Sequence, residues 1–223
     1  MEVPGGTFVS MLDEPDRAAL ATIGRQRAYR KGAVMLLEGD HSDHVFIIRE
    51  GRLKVVVTTA AGHELLLAVR GPGELVGELS ALTNGSEPRS ASMVALDPIV
   101  VQVMAGSEFL AFLEQRPRVL LIVLRKIMDR LRDSDRRRIE FGSQPTMGRV
   151  AGYLAEMAER HGRPVAGGIE IVALSQEELA GYIVASRESV ARALMTLRRR
   201  GLITTGRRSI IVLDVEGLRK YRD

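Results

Sequence analysis

The stretch SRESVARALMTLRRRGLI, from Ser186 to Ile203, decides the fold of the C-terminal part of the chain. Its apolar residues recur at helical spacing, so one face of a helix is predicted to be buried while the other carries the charges. Ser186 suits the N-cap position, because its hydroxyl can accept a hydrogen bond from a free amide of the first turn. The buried face is predicted to hold Val190, Leu194 and Leu197.

A shorter helix is predicted immediately before this one. Ser175 and Glu178 form the capping-box pattern, and the break at residues 184–186 leaves only a short turn before the second helix. Two helices joined in this way make a helix-turn-helix. The segment GLITTGRRSIIVLDV then predicts two strands around a turn, so the whole is a winged helix-turn-helix. Arg207 and Arg208 in that turn suit the phosphate backbone of a nucleic acid or a solvated surface.

The exposed side of the second helix is predicted to present Arg187, Glu188 and Arg192. An arginine fork matches the two acceptors of guanine in the major groove, and a glutamate accepts a hydrogen bond from the cytosine amino group. A surface that bound only phosphate would not favour a glutamate, so the pattern predicts sequence-specific binding to double-stranded DNA. The alternative is a solvated helix in which Glu188 and Arg192 form an ordinary i,i+4 ion pair.

The segment LSQEELAGYIVASRESVARAL resembles the helix-turn-helix of the Crp/Fnr family of bacterial transcription regulators, with the S-R-E-[ST]-V-x-R core intact. The resemblance implies a palindromic target with half-sites of the TGTGA type and RNA polymerase as a further partner. It implies that the base-reading residues are Arg187, Glu188 and Arg192, with Ser175, Gln176, Ser186 and Ser189 as the other DNA contacts.

Residues 27–104 are short β-branched runs separated by glycines, which predicts a small antiparallel β-barrel. Within them, VGELSALTNGSEPRSASMVA resembles the phosphate-binding cassette of cyclic-nucleotide-binding domains, which implies a jelly-roll-like barrel. A cyclic phosphodiester needs a cation and several amide donors, and its ribose 2′-hydroxyl needs an acceptor. The predicted phosphate contacts are Arg89, Ser90 and the backbone at Gly77, Glu78 and Leu79, and the Glu78 carboxylate is the predicted ribose acceptor. The alternative for this loop is an ion pair between Glu78 and Arg89.

After Gly106 the apolar period changes from two to about three and a half, and Pro117 suits the first turn of a long helix that ends near Gly142. The residues at alternating steps of four and three form a coiled-coil seam, which favours a parallel homodimer over simple packing of the helix on the barrel. The seam is predicted to hold Leu120, Leu124, Ile127, Leu131, Ser134, Arg138 and Phe141.

The resemblance places Ser134 and Asp135 over the purine of the bound nucleotide, where cAMP-responsive family members carry Thr-Ser. A carboxylate at position 135 can accept from the amino group of adenine or from two donors of guanine, so cAMP is favoured and cGMP stays open. A barrel that binds no cyclic nucleotide, or another effector such as a cyclic dinucleotide, is the alternative. No cofactor is predicted.

The composition also limits the class of protein that this chain can be. The chain has 223 residues, no cysteine and a formal net charge of +4, which fits the cytoplasm and an anionic partner and excludes disulfides and cysteine-ligated clusters. A haem sensor would depend on His63 as axial ligand, and no signal peptide, membrane segment, catalytic motif or metal motif is present. The sequence therefore predicts an α+β regulator that is not an enzyme: a sensor domain (1–115), a dimerisation helix (116–143) and a DNA-binding domain (144–223).

Overall fold

The computed structural model describes residues 5–221 except residues 60, 61, 63, 84, 173, 207 and 208. His63, Arg207 and Arg208 therefore lie outside the described residues. The chain divides into two compact units, Met1–Leu131 and Arg132–Asp223.

Two four-stranded antiparallel sheets build the first unit, with strand orders β1-β8-β3-β6 and β2-β7-β4-β5. Their inner faces enclose one apolar core, to which Leu36, Phe46, Leu53, Met93 and Val101 contribute. The predicted antiparallel barrel is thus confirmed as two facing sheets. The strands are β1 Arg25–Tyr29, β2 Val34–Leu36, β3 Val45–Glu50, β4 Leu53–Thr58, β5 Glu64–Arg70, β6 Leu75–Val76, β7 Ser92–Ala95 and β8 Ile99–Met104.

Helices cover the outer face of the first sheet. They are α1 Glu14–Ala21, α2 Glu78–Leu82, α3 Gly106–Glu114 and the long α4 Pro117–Ser143, after a short 3-10 turn at Val9–Met11. Val45, Ile47 and Met104 of the sheet meet Phe109 and Val119 of the helices in a second apolar cluster. Burial of this outer face explains why β3 is apolar on both sides.

The predicted register of the seam on α4 is wrong for its first half. Leu120 and Ile127 pack against the cluster between sheet and helices, beside the buried Val119 and Val123. The exposed apolar stripe, with exposed fractions between 45% and 63%, is instead Leu121, Leu124, Met128 and Leu131. Its steps are again three and four residues, so α4 has two apolar faces, one for the barrel and one uncovered.

The second unit is a winged helix-turn-helix, as predicted. The elements are α5 Thr146–His161, β9 Arg163–Val165, β10 Gly168–Val172, α6 Gln176–Tyr182, α7 Arg187–Arg199, β11 Ile203–Thr205, β12 Ser209–Val212 and α8 Val215–Arg219. The sheet order is β11-β12-β10-β9, with every pairing antiparallel.

Across the part of the chain that the structure describes, no helix is both long enough and apolar enough to span a bilayer.

Candidate functional site

The cassette begins with a left-handed turn at Gly77, between β6 and α2. Its φ is +82°, and a Cβ there would lie 2.8 Å from the carbonyl oxygen of His44 and 3.2 Å from Nη1 of Arg89. Only glycine fits both the dihedral angle and the close approach. The turn starts α2 at Glu78, so first-turn amides that have no acceptor within the helix lie at the predicted phosphate site.

The Arg89 side chain is buried, with 4% of the residue exposed, and all three of its nitrogens bind protein groups. Nε donates to Ser42 Oγ at 2.9 Å, Nη1 to the carbonyl of Gly77 at 2.9 Å and Nη2 to the carbonyl of His44 at 2.8 Å. Because a guanidinium has five N–H groups, two remain for a ligand after these three bonds. Arg89 therefore holds the cassette turn against the 42–44 loop.

The main chain of Arg89 is tied to the same loop. Its N–H donates to the carbonyl of Asp40, and its carbonyl accepts from the N–H of Gly39, each at 2.9 Å. Burial lowers the pKa of Arg89, and the carboxylates of Asp43 and Glu78 oppose that shift. The group stays cationic at neutral pH, because the ordinary pKa of arginine is far above that range.

Glu78 is the most buried carboxylate of the cassette, with 2% of the residue exposed, and it pairs with Arg130 of α4. Arg130 Nη1 donates to Glu78 Oε1 at 2.5 Å, and Nη2 donates to the carbonyl of Leu75 at 2.5 Å. The alternative ion pair between Glu78 and Arg89 is therefore not formed among the described residues. Arg130 joins the long helix to the cassette. Nothing in the sequence distinguishes Arg130 from the many other arginines of this helix, so it was not predicted.

The remaining predicted cassette residues lie at or beyond its surface. Ser90 and Leu79 are exposed, the latter with more than half of its area. Ser134 and Asp135 are exposed on α4, in the second unit of the chain. Their contact with a nucleotide stays a prediction.

In the helix-turn-helix, each helix starts with the cap that the sequence predicted. Ser175 Oγ accepts from the N–H of Glu178 at 3.1 Å, and Glu178 Oε2 accepts from the N–H of Ser175 at 2.9 Å. Ser186 Oγ accepts from the N–H of Ser189 at 3.2 Å. Between the helices, Val184 has a φ of +51°, a left-handed conformation in which a β-branched residue is strained, and this permits the short turn.

The buried face of α7 differs in one position from the prediction. Val190 and Leu197 are fully buried, but Ala193 completes the face while Leu194 is only half-buried. Ala193 lies about one turn after Val190, so the centre of the buried face is closer to Ala193 than to Leu194.

The predicted reading residues Arg187, Glu188 and Arg192 are all exposed on α7. Glu188 and Arg192 lie on the side of the helix away from its buried face, and Arg187 lies in the first turn beside that face. Arg192 Nη2 donates to Ser189 Oγ at 2.9 Å, and Ser186 Oγ donates to Ser189 Oγ at 3.0 Å, so the hydroxyls orient this arginine. Hydrogen bonds from the backbone of Glu188 itself and from Ser186, with the charges of Arg187 and Arg192, lower the pKa of Glu188. The helix therefore presents a carboxylate between two guanidinium groups, the donor and acceptor set that reads base edges. Ser175 and Gln176 are exposed at the start of α6.

The end of α4 is tied to the helix-turn-helix within the second unit. Arg137 Nη1 donates to the hydroxyl of Tyr182 at 3.0 Å, and its guanidinium lies 5.5 Å from the centre of that ring. Arg149 Nη1 donates to the carbonyl of Gln144 at 2.9 Å, and Nη2 to the carbonyl of Val184 at 3.1 Å. The turn between α6 and α7 is thus held to the residues that follow the long helix.

Comparison with known proteins agrees with both halves of the site. The cyclic nucleotide-binding domain family matches residues 26–116, and the Crp-like helix-turn-helix domain family matches residues 148–221. The CRP-like cAMP-activated global transcriptional regulator of Mycobacterium tuberculosis is 30% identical over 92% of this chain and 92% of its own length. The chain belongs to the Crp/Fnr family of transcription regulators. Members of the Crp/Fnr family regulate transcription by binding DNA and are not enzymes, so the expectation that this chain is not an enzyme is confirmed.

One further relative and one solved structure span most of the chain. The cyclic AMP receptor protein of Thermus thermophilus is 29% identical over 82% of this chain and 81% of its own length. The c-di-GMP responsive global regulator CLP of Xanthomonas campestris has the same fold, with a TM-score of 0.76 and 19% identity over 91% of this chain and 100% of that one.

Proposed function

We propose that this chain is a homodimeric cytoplasmic regulator whose affinity for a palindromic DNA site is set by a cyclic nucleotide in the cassette, with RNA polymerase as a further partner. The observation that carries the proposal is the pair of buried charges at the cassette turn. Arg89 lies beside the α2 amides with N–H groups to spare, and Glu78 offers a carboxylate next to it. A cation and an acceptor held this close suit a sugar phosphate better than inorganic phosphate, which the carboxylate would repel.

Communication with the long helix follows from the way Glu78 is shared. Its Oε1 accepts from Arg130 of α4, and no described residue donates to Oε2. A ribose hydroxyl bound to Oε2 would share the carboxylate with Arg130. Binding of a nucleotide would therefore directly affect a contact of the long helix. A ligand shifts a conformational equilibrium only through such differences in contact between the two states.

The favoured effector is cAMP. Two relatives that span most of the chain are named for cAMP, whereas a structural neighbour is named for c-di-GMP. Asp135 leaves cGMP as the first competitor, because a carboxylate matches the paired donors of guanine. A barrel that serves only as a scaffold is the second candidate, since the three bonds of Arg89 to its own chain already satisfy much of that side chain.

Fluorescence anisotropy titrations of a labelled palindromic duplex, with and without cAMP, cGMP or c-di-GMP, test the effector. We expect cAMP to raise DNA affinity most strongly. Glu78→Gln should reduce nucleotide affinity by about tenfold or more, because a hydrogen bond to a charged acceptor contributes about 1.5–3 kcal/mol. Glu87→Gln is the matched control, because Glu87 is exposed in the same loop. Identical DNA affinity under all conditions would contradict the sensing function and leave the DNA-binding regulator.

The homodimer is proposed from the uncovered stripe on α4, which is Leu121, Leu124, Met128 and Leu131. A second copy of the helix would cover it through the same positions, because a parallel coiled coil is two-fold symmetric. We expect Leu124→Lys combined with Leu131→Lys to convert the dimer to a monomer in analytical ultracentrifugation at micromolar concentration. Glu114→Lys, an exposed change on α3, should leave the dimer intact. A monomeric unmodified protein would contradict this part of the proposal.

A further inference from the structure

A cavity opens on the barrel beside the edge strand β1. Its volume is about 290 Å³, close to the lower end of ligand pockets. It is lined by β1, by β2 with the loop that follows, and by Phe46 and Val103. It is distinct from the cassette turn, because neither Gly77 nor Glu78 lines it.

The cavity exists because β1 breaks the apolar pattern of the barrel interior. Arg25, Arg27 and Tyr29 stand opposite Val103, Val101 and Ile99 of β8, and directly opposed residues of paired strands share a face. Those β8 residues belong to the barrel core, so the two arginines lie on the core-facing side of the edge strand, where their side chains stay exposed. The apolar floor is Leu36, Phe46 and Val103, all buried.

The side chains that line the cavity carry a net positive charge. Arg25 and Arg27 form no ion pair among the described residues, and Asp40 is the one carboxylate in the lining. The guanidinium of Arg27 lies 4.8 Å from the centre of the Tyr29 ring, which holds its planar donor fork in place. Two guanidinium groups that form no ion pair among the described residues, above an apolar floor, suit an anion with an apolar body.

The cavity is also connected to the cassette through Ser42. The side chain of Ser42 lines it, and Ser42 Oγ accepts from Arg89 Nε at 2.9 Å. A hydroxyl that accepts with its oxygen still has its hydrogen to donate, and no described residue accepts that hydrogen. An anion in the cavity could therefore accept from Ser42, which would strengthen the bond between Ser42 and Arg89 through mutual polarisation.

We infer that this cavity is a second binding site, for a small organic anion with an apolar or aromatic body, joined to Arg89 through Ser42. The anionic group, a phosphate or a carboxylate, lies against Arg25 and Arg27, and the body lies on the floor at Phe46. Occupancy affects the cassette because Ser42, which lines the cavity, accepts a hydrogen bond from Arg89 of the cassette. Inward-pointing charges on an edge strand also discourage sheet-to-sheet association, but that role requires neither the apolar floor nor the free hydroxyl hydrogen.

Isothermal titration calorimetry on the full-length protein, with phenyl phosphate, benzoate and inorganic phosphate as probes, tests the inference. We expect phenyl phosphate and benzoate to bind, and inorganic phosphate to bind several-fold more weakly than phenyl phosphate because it cannot use the floor. Arg25→Gln with Arg27→Gln should weaken phenyl phosphate binding by about tenfold or more, and Ser42→Ala by a few-fold. Arg30→Gln with Lys31→Gln is the charge-matched control, because both residues are exposed after the same strand and outside the lining.

Repeating the phenyl phosphate titration in saturating cAMP separates this site from the cassette. Binding that persists supports a second site, and competitive displacement by cAMP overturns it. Equal affinity in the Arg25/Arg27 variant overturns the assignment to this cavity. Failure of every probe to bind, which is expected if the face contacts only an acidic protein or only prevents strand pairing, overturns the site itself. The proposed function fails independently, in the DNA titrations, so the two failures are distinguishable.

Discussion

Replacement of Arg187 by alanine is expected to weaken binding to the proposed palindromic site by about 2–6 kcal/mol. Each half-site of the proposed homodimer would be deprived of one bidentate pairing between Arg187 and a base, which contributes about 1–3 kcal/mol. Arg187 is exposed at the start of α7, and no described residue forms an ion pair with it. The effect should fall almost entirely on the specific sequence, so that cognate and scrambled duplexes become nearly equal in anisotropy titrations.

Arg198→Ala is the matched control, an exposed arginine in the last turn of the same helix. If Arg198 meets only phosphate, its replacement should weaken binding to both duplexes alike and reduce the slope of log K against log salt by about one for each phosphate that is no longer neutralised. A uniform weakening with Arg187→Ala, or a sequence-selective one with Arg198→Ala, would contradict the assignment of the base readers.

The Arg130→Met variant is expected to lose about 3 kcal/mol of folding stability, because it leaves the buried carboxylate of Glu78 without its cation. We expect the lower end of the range for broken buried pairs, since the Arg130 side chain keeps 28% of its exposure. In a chain of this size that corresponds to a fall in melting temperature of about 6–12 °C. Differential scanning calorimetry measures it.

The double variant Arg130→Met with Glu78→Gln removes both charges and should recover most of the lost stability, since a neutral side chain is easier to bury than an unpaired anion. Arg125→Met, an exposed arginine on the same helix, is the control and should change the melting temperature little. Additive losses in the double variant would show that the pair does not act as a unit.

The winged helix-turn-helix was predictable from local signals. Ser175 and Ser186 indicate where the two helices begin, and the spacing of Val190 and Leu197 indicates which side of α7 is buried. The exposure of Glu188 and Arg192 then follows from helical geometry alone. Sequence reasoning works here because the deciding interactions lie within one or two turns of the chain.

The face of α4 could not be predicted in the same way. A helix with two apolar faces offers two heptad registers, and Leu120 and Ile127 satisfy one as well as Leu121 and Met128 satisfy the other. The choice depends on contacts with Phe109 and other distant residues of the barrel cluster. Local spacing contains no information about which face a remote domain covers.

The partner of Glu78 was equally hidden. Arg89 lies eleven residues away and Arg130 lies on another element, and both have the charge that a buried carboxylate requires. The choice between them depends on the left-handed turn at Gly77, which directs Arg89 to carbonyl groups. Long-range geometry, and not residue chemistry, selects the pair.

The bonds from Arg89 to Ser42, Gly77 and His44 have an evolutionary consequence. A descendant that stopped responding to nucleotides would still be selected to keep this arginine, because losing it would leave two inward carbonyls unmet and loosen the sheet edge. Retention of the arginine across a lineage therefore records the demands of folding together with those of signalling. Its presence alone is a poor marker of a responsive receptor.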